Sequence, residues 1–390
     1  MTNIKVNLKI SDILFTITMI FVLAFPGPSV FKAISIIAFF CYMMVMKAIR
    51  YRKIKNNLHI IGSFLFLGYA YISRMWALYP EAVFVQLNNV IWTVLLSTAV
   101  SSYVLHRNLR VKDITNRLIP IALVFLVNVL FNASFVDNRL SIGINENFFG
   151  RLSGGMACFM FYQCKQDKWK NIFRDILAGI LILLTFLSGS RTAVLILTIY
   201  VIAFLIFEHP PKNGIKVLRK LLLVVAFCGI GYFCIMKIDF LYNTIGNRIE
   251  SLLWMLEGTS EGDGSAITRM NMINSARDLF LEHPWIGIGM NNFSYATYYN
   301  TYAHNNYYEL AACLGIIGLI LYYVPLVGYL KKAMSEWKKD GAGMIVPLVI
   351  VGAFLMGDVG SVSYFNPMLH VFVGLAIGLI INAGNQKASY

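Results

Sequence analysis

The sequence predicts an all-α integral membrane protein with about twelve transmembrane helices and one large loop on the outer face of the membrane. Its 390 residues are 58% hydrophobic and only 13% charged, and the mean hydropathy is +0.66. Soluble proteins are nearer half apolar and a quarter charged. The apolar residues form continuous runs rather than an alternating pattern, which excludes a closed β-barrel. We therefore expect one integral membrane domain over residues 1–390.

Twelve apolar runs account for the predicted spans, and several are shorter than the ~20 residues of a straight transmembrane helix. In chain order they are 13–25, 30–46, 58–73, 83–105, 118–135, 148–164, 176–188, 192–207, 221–236, 307–330, 344–360 and 368–382. The first run has no small-residue cleavage site, so we expect a retained span rather than a signal peptide.

The connections between the runs differ in charge, and this difference predicts the orientation of the chain. Five connections carry four or five Lys and Arg residues each, namely 47–55, 107–117, 165–174, 212–220 and 331–339. All five lie on one side if the N-terminus is cytoplasmic. Because Lys and Arg collect in cytoplasmic loops, we expect both termini inside a cytoplasmic membrane and residues 237–305 outside it. That outer segment has seven acidic and four basic residues.

The formal net charge of +14 has the same explanation, so it does not predict nucleic-acid binding. The six cysteines all lie in apolar runs and form no CxxC pair, which predicts neither a zinc site nor a disulfide framework. The sequence has no HExxH motif, and its acids do not cluster with histidines at ligand spacing. We expect no metal and no cofactor.

The outer segment, residues 237–305, is the one long polar stretch of the chain. Apolar residues at helical spacing predict one short helix over 243–256 and a second over 265–282. Glycines at 258–264 separate them, and His283-Pro284 ends the second. We expect interfacial helices that lie over the membrane rather than an independent domain.

The seventh and eighth runs are joined on the outer side by Ser188-Gly189-Ser190-Arg191. Ser190 is predicted to cap the eighth helix, and Arg191 falls on its first turn. Free backbone N–H groups and a guanidinium at that helix start would together form an anion site. The alternative is an arginine that reaches toward lipid phosphates.

Further arginines lie on the predicted outer side, where positive charge is uncommon. They are Arg74, Arg139, Arg151, Arg269 and Arg277. A shared anionic ligand such as a lipid diphosphate would explain them. The alternative is that they pair with nearby acids such as Asp137 and Glu146.

His304 lies immediately before the tenth run, outside the membrane. A histidine there is a candidate general base, because its ordinary pKa is near neutral. Asn305 and Glu309 are four residues apart and are expected to share a helix face, as are His304 and Tyr308. The alternative is a histidine that only makes interfacial hydrogen bonds.

These outer residues resemble the O-antigen ligase and O-antigen polymerase superfamily. Three pieces carry the resemblance, which extends over residues 187–323. The first is Ser188-Gly189-Ser190-Arg191-Thr192-Ala193 at a helix start. The second is Arg269 followed by His283-Pro284 and Gly287-Ile288-Gly289-Met290-Asn291-Asn292-Phe293. The third is His304-Asn305-Asn306-Tyr307, followed by Leu310, Gly315 and Gly318-Leu319.

The resemblance implies a helical (GT-C-like) fold of lipid-dependent glycosyltransferases. Such enzymes take a glycan from undecaprenyl diphosphate on the outer face of the membrane and pass it to an acceptor hydroxyl, without metal. Outer arginines would then neutralise the charge of the departing diphosphate. We expect His304, Arg191 and Arg269 to be catalytic. The expected substrate-binding residues are Arg151, Arg74, Ser190, Asn305, Glu309 and Arg277.

Two activities fit this class. A polymerase joins repeat units of a surface polysaccharide, such as O-antigen or capsule, and a ligase moves the glycan to lipid A core, protein or cell wall. We favour the polymerase, since no acceptor-docking domain is attached. A third possibility, a transporter of the lipid-linked glycan, would require charges near the midplane and a repeated half. The sequence shows neither.

Overall fold

A computed structural model describes residues 9–50, 58–161, 168–207, 214–247, 249–250 and 264–386 of this chain. Each of the twelve apolar runs overlaps a helix, and residues 162–164 of the sixth run lie outside the described residues. In chain order these helices are α1 (Ile10–Met19, continued by a π-helix at Ile20–Ala24), α2 (Val30–Arg50), α3 (Leu58–Ile72), α4 (Pro80–His106), α5 (Val111–Asn132), α6 (Glu146–Met160), α7 (Lys168–Leu187), α8 (Arg191–Phe207), α9 (Gly214–Lys237), α11 (Asn306–Asp340), α12 (Ile345–Gly357) and α13 (Pro367–Gln386). A further helix, α10 (Gly264–Glu282), lies in the outer segment.

This architecture agrees with a helical membrane protein that crosses the bilayer several times. Within the described residues, five helices have the length and apolar composition of a membrane span, namely α2, α4, α5, α11 and α13. The apolar helices α1, α8 and α12 are shorter. The count of about twelve spans stays a prediction.

The centre of the bundle is the packing of α4 against α13. Gly374 and Gly378 are four residues apart on α13 and lie against α4. A Cβ atom at Gly374 would lie 2.7 Å from the Ser97 carbonyl oxygen, and one at Gly378 would lie 2.6 Å from Cβ of Val104. Small residues at this spacing let two helix backbones approach closely in a membrane. The Asn382 amide stabilises the same interface, because it donates hydrogen bonds to the carbonyls of Val104 and Leu109.

A short antiparallel hairpin follows α5, with β1 (Ser134–Val136) paired to β2 (Arg139–Ser141). The prediction that the fifth run continues to residue 135 is therefore wrong at its end. Asp137 and Asn138 both adopt positive φ, at 48° and 60°. A two-residue turn of this kind matches the twist of paired strands, and Asp and Asn tolerate the left-handed region. The hairpin places Arg139 over the start of α8.

The helix α11 is interrupted at Gly315, whose φ and ψ are 63° and −165°. The loop after α10 fills the interruption. The N–H groups of Ile288 and Gly289 donate to the carbonyls that precede the break, and those of Ile316 and Ile317 donate to Pro284 and Trp285. Backbone that leaves the helical pattern inside a membrane protein must find such partners. The loop after α10 is thereby fixed against α11.

The helix α10 confirms the predicted helix at 265–282. Its Met272 and Ala276 are buried in the core. Of the other predicted outer helix, 243–256, the structure describes 243–247 and 249–250, which are helical, with a π-helix at Tyr242–Gly246. The remainder of that prediction lies outside the described residues.

Candidate functional site

The start of α8 is a tight turn built from Ser188, Gly189 and Ser190. Gly189 has a φ of 61°, and a Cβ atom there would lie 2.8 Å from the Thr244 carbonyl oxygen. The Ser190 hydroxyl accepts a hydrogen bond from the Ala193 N–H at 3.3 Å, which confirms Ser190 as the helix cap. Ser190 is fully buried, whereas Arg191 on the first turn is partly buried. Ser190 thus holds the helix start on which Arg191 lies, and its role in substrate binding stays a prediction.

Arg139 anchors this turn from the hairpin. Its Nε donates to the Ser188 carbonyl at 2.9 Å, and its Nη2 donates to Asn147 at 3.0 Å. Its Nη1 lies 3.1 Å from the Glu146 carboxylate. Arg139 therefore pairs with a local acid, as the alternative for the predicted outer arginines expects. A buried guanidinium with all these partners stabilises the turn.

Arg151 is buried beside the connection between α12 and α13, residues 358–366. Its Nη1 donates to the Ser361 hydroxyl, and its guanidinium lies 5.9 Å from the centre of the Phe354 ring. The charges of Arg151 and Asp358 attract one another across this connection. Arg151 therefore contacts residues more than 200 positions away in the sequence, rather than an acid in its own loop.

The sequence interpretation missed Asp358, which organises the connection from α12 to α13. The predicted span 344–360 is wrong at its end, because α12 ends at Gly357 and Asp358 is its C-cap. The buried Asp358 carboxylate accepts hydrogen bonds from the Asn306 amide at 3.0 Å, the Tyr323 hydroxyl at 2.9 Å and the Ser363 hydroxyl. One signal was available, since Asp358 is the only acidic residue after Asp340. An isolated acid beside an apolar run marks a structural or functional site.

His304 lies in a turn of unusual backbone conformation just before α11. Its φ is 54°, in the left-handed region that non-glycine residues rarely adopt. On one side of it, the Ala303 N–H donates to the Glu309 carboxylate at 2.8 Å. On the other side, Asn305 caps α11, because its side-chain oxygen accepts from the N–H groups of Tyr307 and Tyr308. Strain of this kind often accompanies a functional site.

Asn305 and Glu309 are both buried, with exposures of 6% and 1%. They do not form an exposed shared face. Asn305 holds the helix start, and Glu309 folds back on the turn before it. The ring next to His304 belongs to Tyr302, whose centroid is 4.6 Å from that of His304.

Arg269 acts on the same turn from α10. Burial lowers the pKa of His304 to about 4, and the positive charge of Arg269 contributes to this shift. Burial also raises the pKa of the Tyr302 hydroxyl, a rise that the Arg269 charge opposes. The fold thus brings Arg269 close to His304, and His304 is neutral near pH 7.

The start of α8 and the His304 turn contact neighbouring residues of the 358–366 connection. The Asn305 amide donates to the Val359 carbonyl at 3.1 Å. A Cβ atom at Gly360 would lie 2.7 Å from the Thr192 hydroxyl oxygen. Because Thr192 follows Arg191, two of the three sequence motifs meet on one stretch of backbone. The third motif supplies Arg269.

Two other predicted site residues have partners elsewhere. Arg74 lies 3.6 Å from Glu81 and 4.4 Å from the centre of the Phe84 ring. Arg277 is exposed and lies 3.3 Å from Asp278. Their predicted roles in substrate binding stay predictions. Among the described residues, no three His, Cys, Asp or Glu side chains are grouped as metal ligands would be.

Comparison with known proteins supports the resemblance. A search of curated proteins gives no match. Residues 176–323 match the sequence model of the O-antigen ligase family. The matched segment runs from α7 into α11 and includes Arg191, Arg269 and His304. This match confirms the resemblance of residues 176–323 to the O-antigen ligase and O-antigen polymerase superfamily.

Proposed function

We propose that this protein is a metal-independent glycosyltransferase that polymerises repeat units of a surface polysaccharide. The donor is an undecaprenyl-diphosphate-linked oligosaccharide, used on the outer face of the cytoplasmic membrane. One observation carries the proposal: the helix start of Arg191 and the turn of His304 contact the same connection, and the charge of Arg269 acts on His304. The match of this segment to the O-antigen ligase family supports it.

The proposed reaction is a displacement at the sugar carbon bonded to the lipid diphosphate. An acceptor hydroxyl oxygen forms the new bond to that carbon. The bond from the carbon to the diphosphate oxygen breaks, and the diphosphate leaves with the electron pair. Arg191 and Arg269 stabilise the charge that develops on the leaving group. His304 takes the proton of the acceptor hydroxyl.

The low pKa of His304 fits this role once the donor is bound. A base with a pKa of about 4 is weak, because proton transfer is most effective when the pKa lies near the operating pH. A diphosphate beside Arg269 would offset the positive charge that disfavours imidazolium. The bound donor thereby raises the pKa of His304 in the complex that reacts with the acceptor.

A narrow apolar pocket supports the binding of a lipid tail. It has a volume of about 50 Å³ and lies between α6, α8, α12 and α13. Its walls include Ile196, Phe354, Leu369 and Phe372, and Arg151 lies among them. We assign it to the isoprene units next to the diphosphate. Arg151 would act mainly by holding the 358–366 connection through Ser361.

The description of the matched family, O-antigen ligase, favours a second candidate. In that case the acceptor would be a lipid A core sugar, a protein or a cell-wall glycan. The test is to reconstitute the full chain in nanodiscs with lipid-linked repeat units extracted from the producing cells, with and without a chelator. A ladder of longer glycans from the donor alone supports the polymerase. Product only after a second acceptor is added supports the ligase, and glycan flipping without any change in length would overturn both.

Cysteine labelling in intact cells tests the proposed orientation. A cysteine placed at Thr268, an exposed residue of α10, should react with an impermeant reagent in intact cells. Cysteines placed at Lys112 and Lys338 should react only after permeabilisation. The opposite pattern would contradict a site on the outer face.

A further inference from the structure

Tyrosines are concentrated in the segment that leads to His304. Residues 293–302 include Tyr295, Tyr298, Tyr299 and Tyr302. Tyr298 is 81% exposed and Tyr295 is 49% exposed, and Tyr79 beside them is 47% exposed. We name Tyr79, Tyr295, Tyr298 and Tyr299 the tyrosine platform. A cluster of exposed aromatic rings with polar residues around it is one mark of a binding surface.

Ring contacts hold Tyr298 and Tyr299 of the platform in place. The ring of the buried Phe293 stacks with that of Tyr299 at 6.3 Å, and the ring of Tyr299 lies 4.2 Å from that of Tyr298. The Tyr298 hydroxyl donates to the Tyr299 hydroxyl at 2.8 Å. Rings fixed in this way lose little conformational entropy when a ligand binds.

A second buried residue holds the other half of the platform. The fully buried Asn292 accepts from the Tyr79 N–H at 2.6 Å and donates to the Tyr79 carbonyl at 3.3 Å. This pairing brings the connection between α3 and α4 against residues 290–293. The rings of Tyr79 and Tyr295 consequently lie 6.0 Å apart.

The platform is continuous with the candidate site. Tyr302 follows it in the chain and its ring contacts that of His304. In the proposed reaction the donor diphosphate is held by Arg191 and Arg269, and His304 takes the proton of the acceptor hydroxyl. A surface that leads to His304 through Tyr302 therefore fits the acceptor.

We propose that the tyrosine platform binds the sugar rings of the acceptor glycan next to the reacting hydroxyl. The C–H faces of a pyranose carry small positive charge and match the negative face of an aromatic ring. The hydroxyl pair of Tyr298 and Tyr299 supplies hydrogen-bonding groups at the edge. This inference rests on the proposed function, since it names the substrate that the platform receives.

The bilayer surface is the competing occupant, because tyrosines also collect at membrane interfaces. The local composition favours a sugar. Residues 294–302 contain Ser294, Thr297, Asn300 and Thr301 between the tyrosines, and no Leu, Ile, Val or Met. By contrast, exposed Tyr232 lies on the apolar helix α9, with exposed Val225 and Ile230 near it in the sequence.

The test measures sugar binding apart from transfer. The full chain in nanodiscs is mixed with the repeat-unit oligosaccharide released from its lipid by mild acid, and saturation-transfer NMR reports which sugar protons contact the protein. We expect Tyr298→Ala and Tyr295→Ala each to weaken binding by roughly tenfold, the size expected for one lost aromatic contact. Tyr298→Phe keeps the ring and should bind nearly as well as the unmodified chain. The matched control is Tyr232→Ala.

Transfer from the lipid-linked donor is measured on the same samples. Tyr298→Ala should raise the KM for the acceptor and leave kcat unchanged. The platform is overturned if the sugar binds equally to the unmodified chain and to both alanine variants, or if it binds to none of the three. Equal effects of Tyr298→Ala and Tyr232→Ala would also overturn it and assign these rings to the bilayer surface. A chain that binds sugar through the platform but transfers nothing would contradict only the proposed function.

Discussion

The Glu309 carboxylate accepts a hydrogen bond from the Ala303 backbone N–H at 2.8 Å, and this contact holds the turn that contains His304. The other carboxylate oxygen of Glu309 accepts from the Cys313 thiol at 3.6 Å. Glu309 is almost completely buried, so we expect it to affect the reaction through the backbone that it positions.

This geometry predicts different results for two substitutions of Glu309. Glu309→Ala leaves the buried Ala303 N–H without an acceptor, which costs ~1–3 kcal/mol, and it frees the His304 turn. We expect transfer to fall at least tenfold. Glu309→Gln retains a carbonyl oxygen for the same hydrogen bond and should keep most of the activity. The measurement is the rate of glycan transfer in the nanodisc assay. Thermal unfolding is the control for folding. If Glu309 instead contacts substrate through its charge, glutamine will be as defective as alanine.

The pH dependence of transfer should identify His304. Its pKa of about 4 means that the neutral base is present above that pH and is lost as the pH falls through it. The acid limb of kcat/KM should therefore lie near pH 4. The acid limb of kcat should lie at higher pH, because the bound diphosphate raises the pKa. His304→Gln should cut transfer by ~10²–10⁴-fold and remove this limb. An unchanged rate and profile in that variant would exclude His304 as the base.

Arg191 and Arg269 are expected to act on the leaving diphosphate. Arg191→Ala and Arg269→Ala should each raise the barrier by ~2.7–4 kcal/mol, or about 10²–10³ in rate. Arg191→Lys should recover little if the contact is bidentate. Lys112→Ala, an exposed cation on the predicted cytoplasmic side, is the matched control and should transfer normally. Near-normal rates in both arginine variants at equal protein amounts would leave these residues as surface cations.

Gly315 should be intolerant of any side chain. Its φ of 63° with ψ of −165° is open essentially to glycine alone, and a Cβ atom there would overlap the Trp285 carbonyl oxygen. We expect Gly315→Ala to cost more than about 3 kcal/mol and to lower the Tm in detergent. Gly179→Ala on α7 is the control, since a Cβ atom there meets nothing within 4 Å. Equal Tm values for the two variants would show that the loop after α10 is not fixed against α11.

Arg151 and Asp358 should be coupled in stability. Removing one of them leaves the other buried charge with its hydrogen bonds but without the opposite charge, which should cost at most the ~3–5 kcal/mol of a broken buried ion pair. Arg151→Met and Asp358→Asn should each lower the Tm strongly, while the double variant should lose less than the sum of the two. A double-mutant cycle on thermal unfolding measures this coupling. Strict additivity would mean that the two side chains act independently.

Most of the fold could be predicted from the sequence because its causes are local. Continuous apolar runs require helices in a membrane, since each backbone group must be satisfied within its own segment. The Ser190 cap and the helix ending at His283-Pro284 also follow from neighbouring residues. The hairpin at 134–141 was missed because its signal, Asp137-Asn138, is only two residues long and follows an apolar run.

The site was only partly accessible to the same reasoning. The sequence by itself marked Arg191, Arg269 and His304, because each is a polar residue at a predicted outer position where the surrounding pattern is apolar or acidic. Only the tertiary structure decided which of them lie near one another. The contacts of Asn305 with Val359, of Asn306 with Asp358 and of Glu309 with Ala303 join segments whose positions depend on packing of the whole bundle. The burial of Glu309 and its hydrogen bond from Ala303 could not be predicted either, because burial and hydrogen-bond partners are properties of the folded chain.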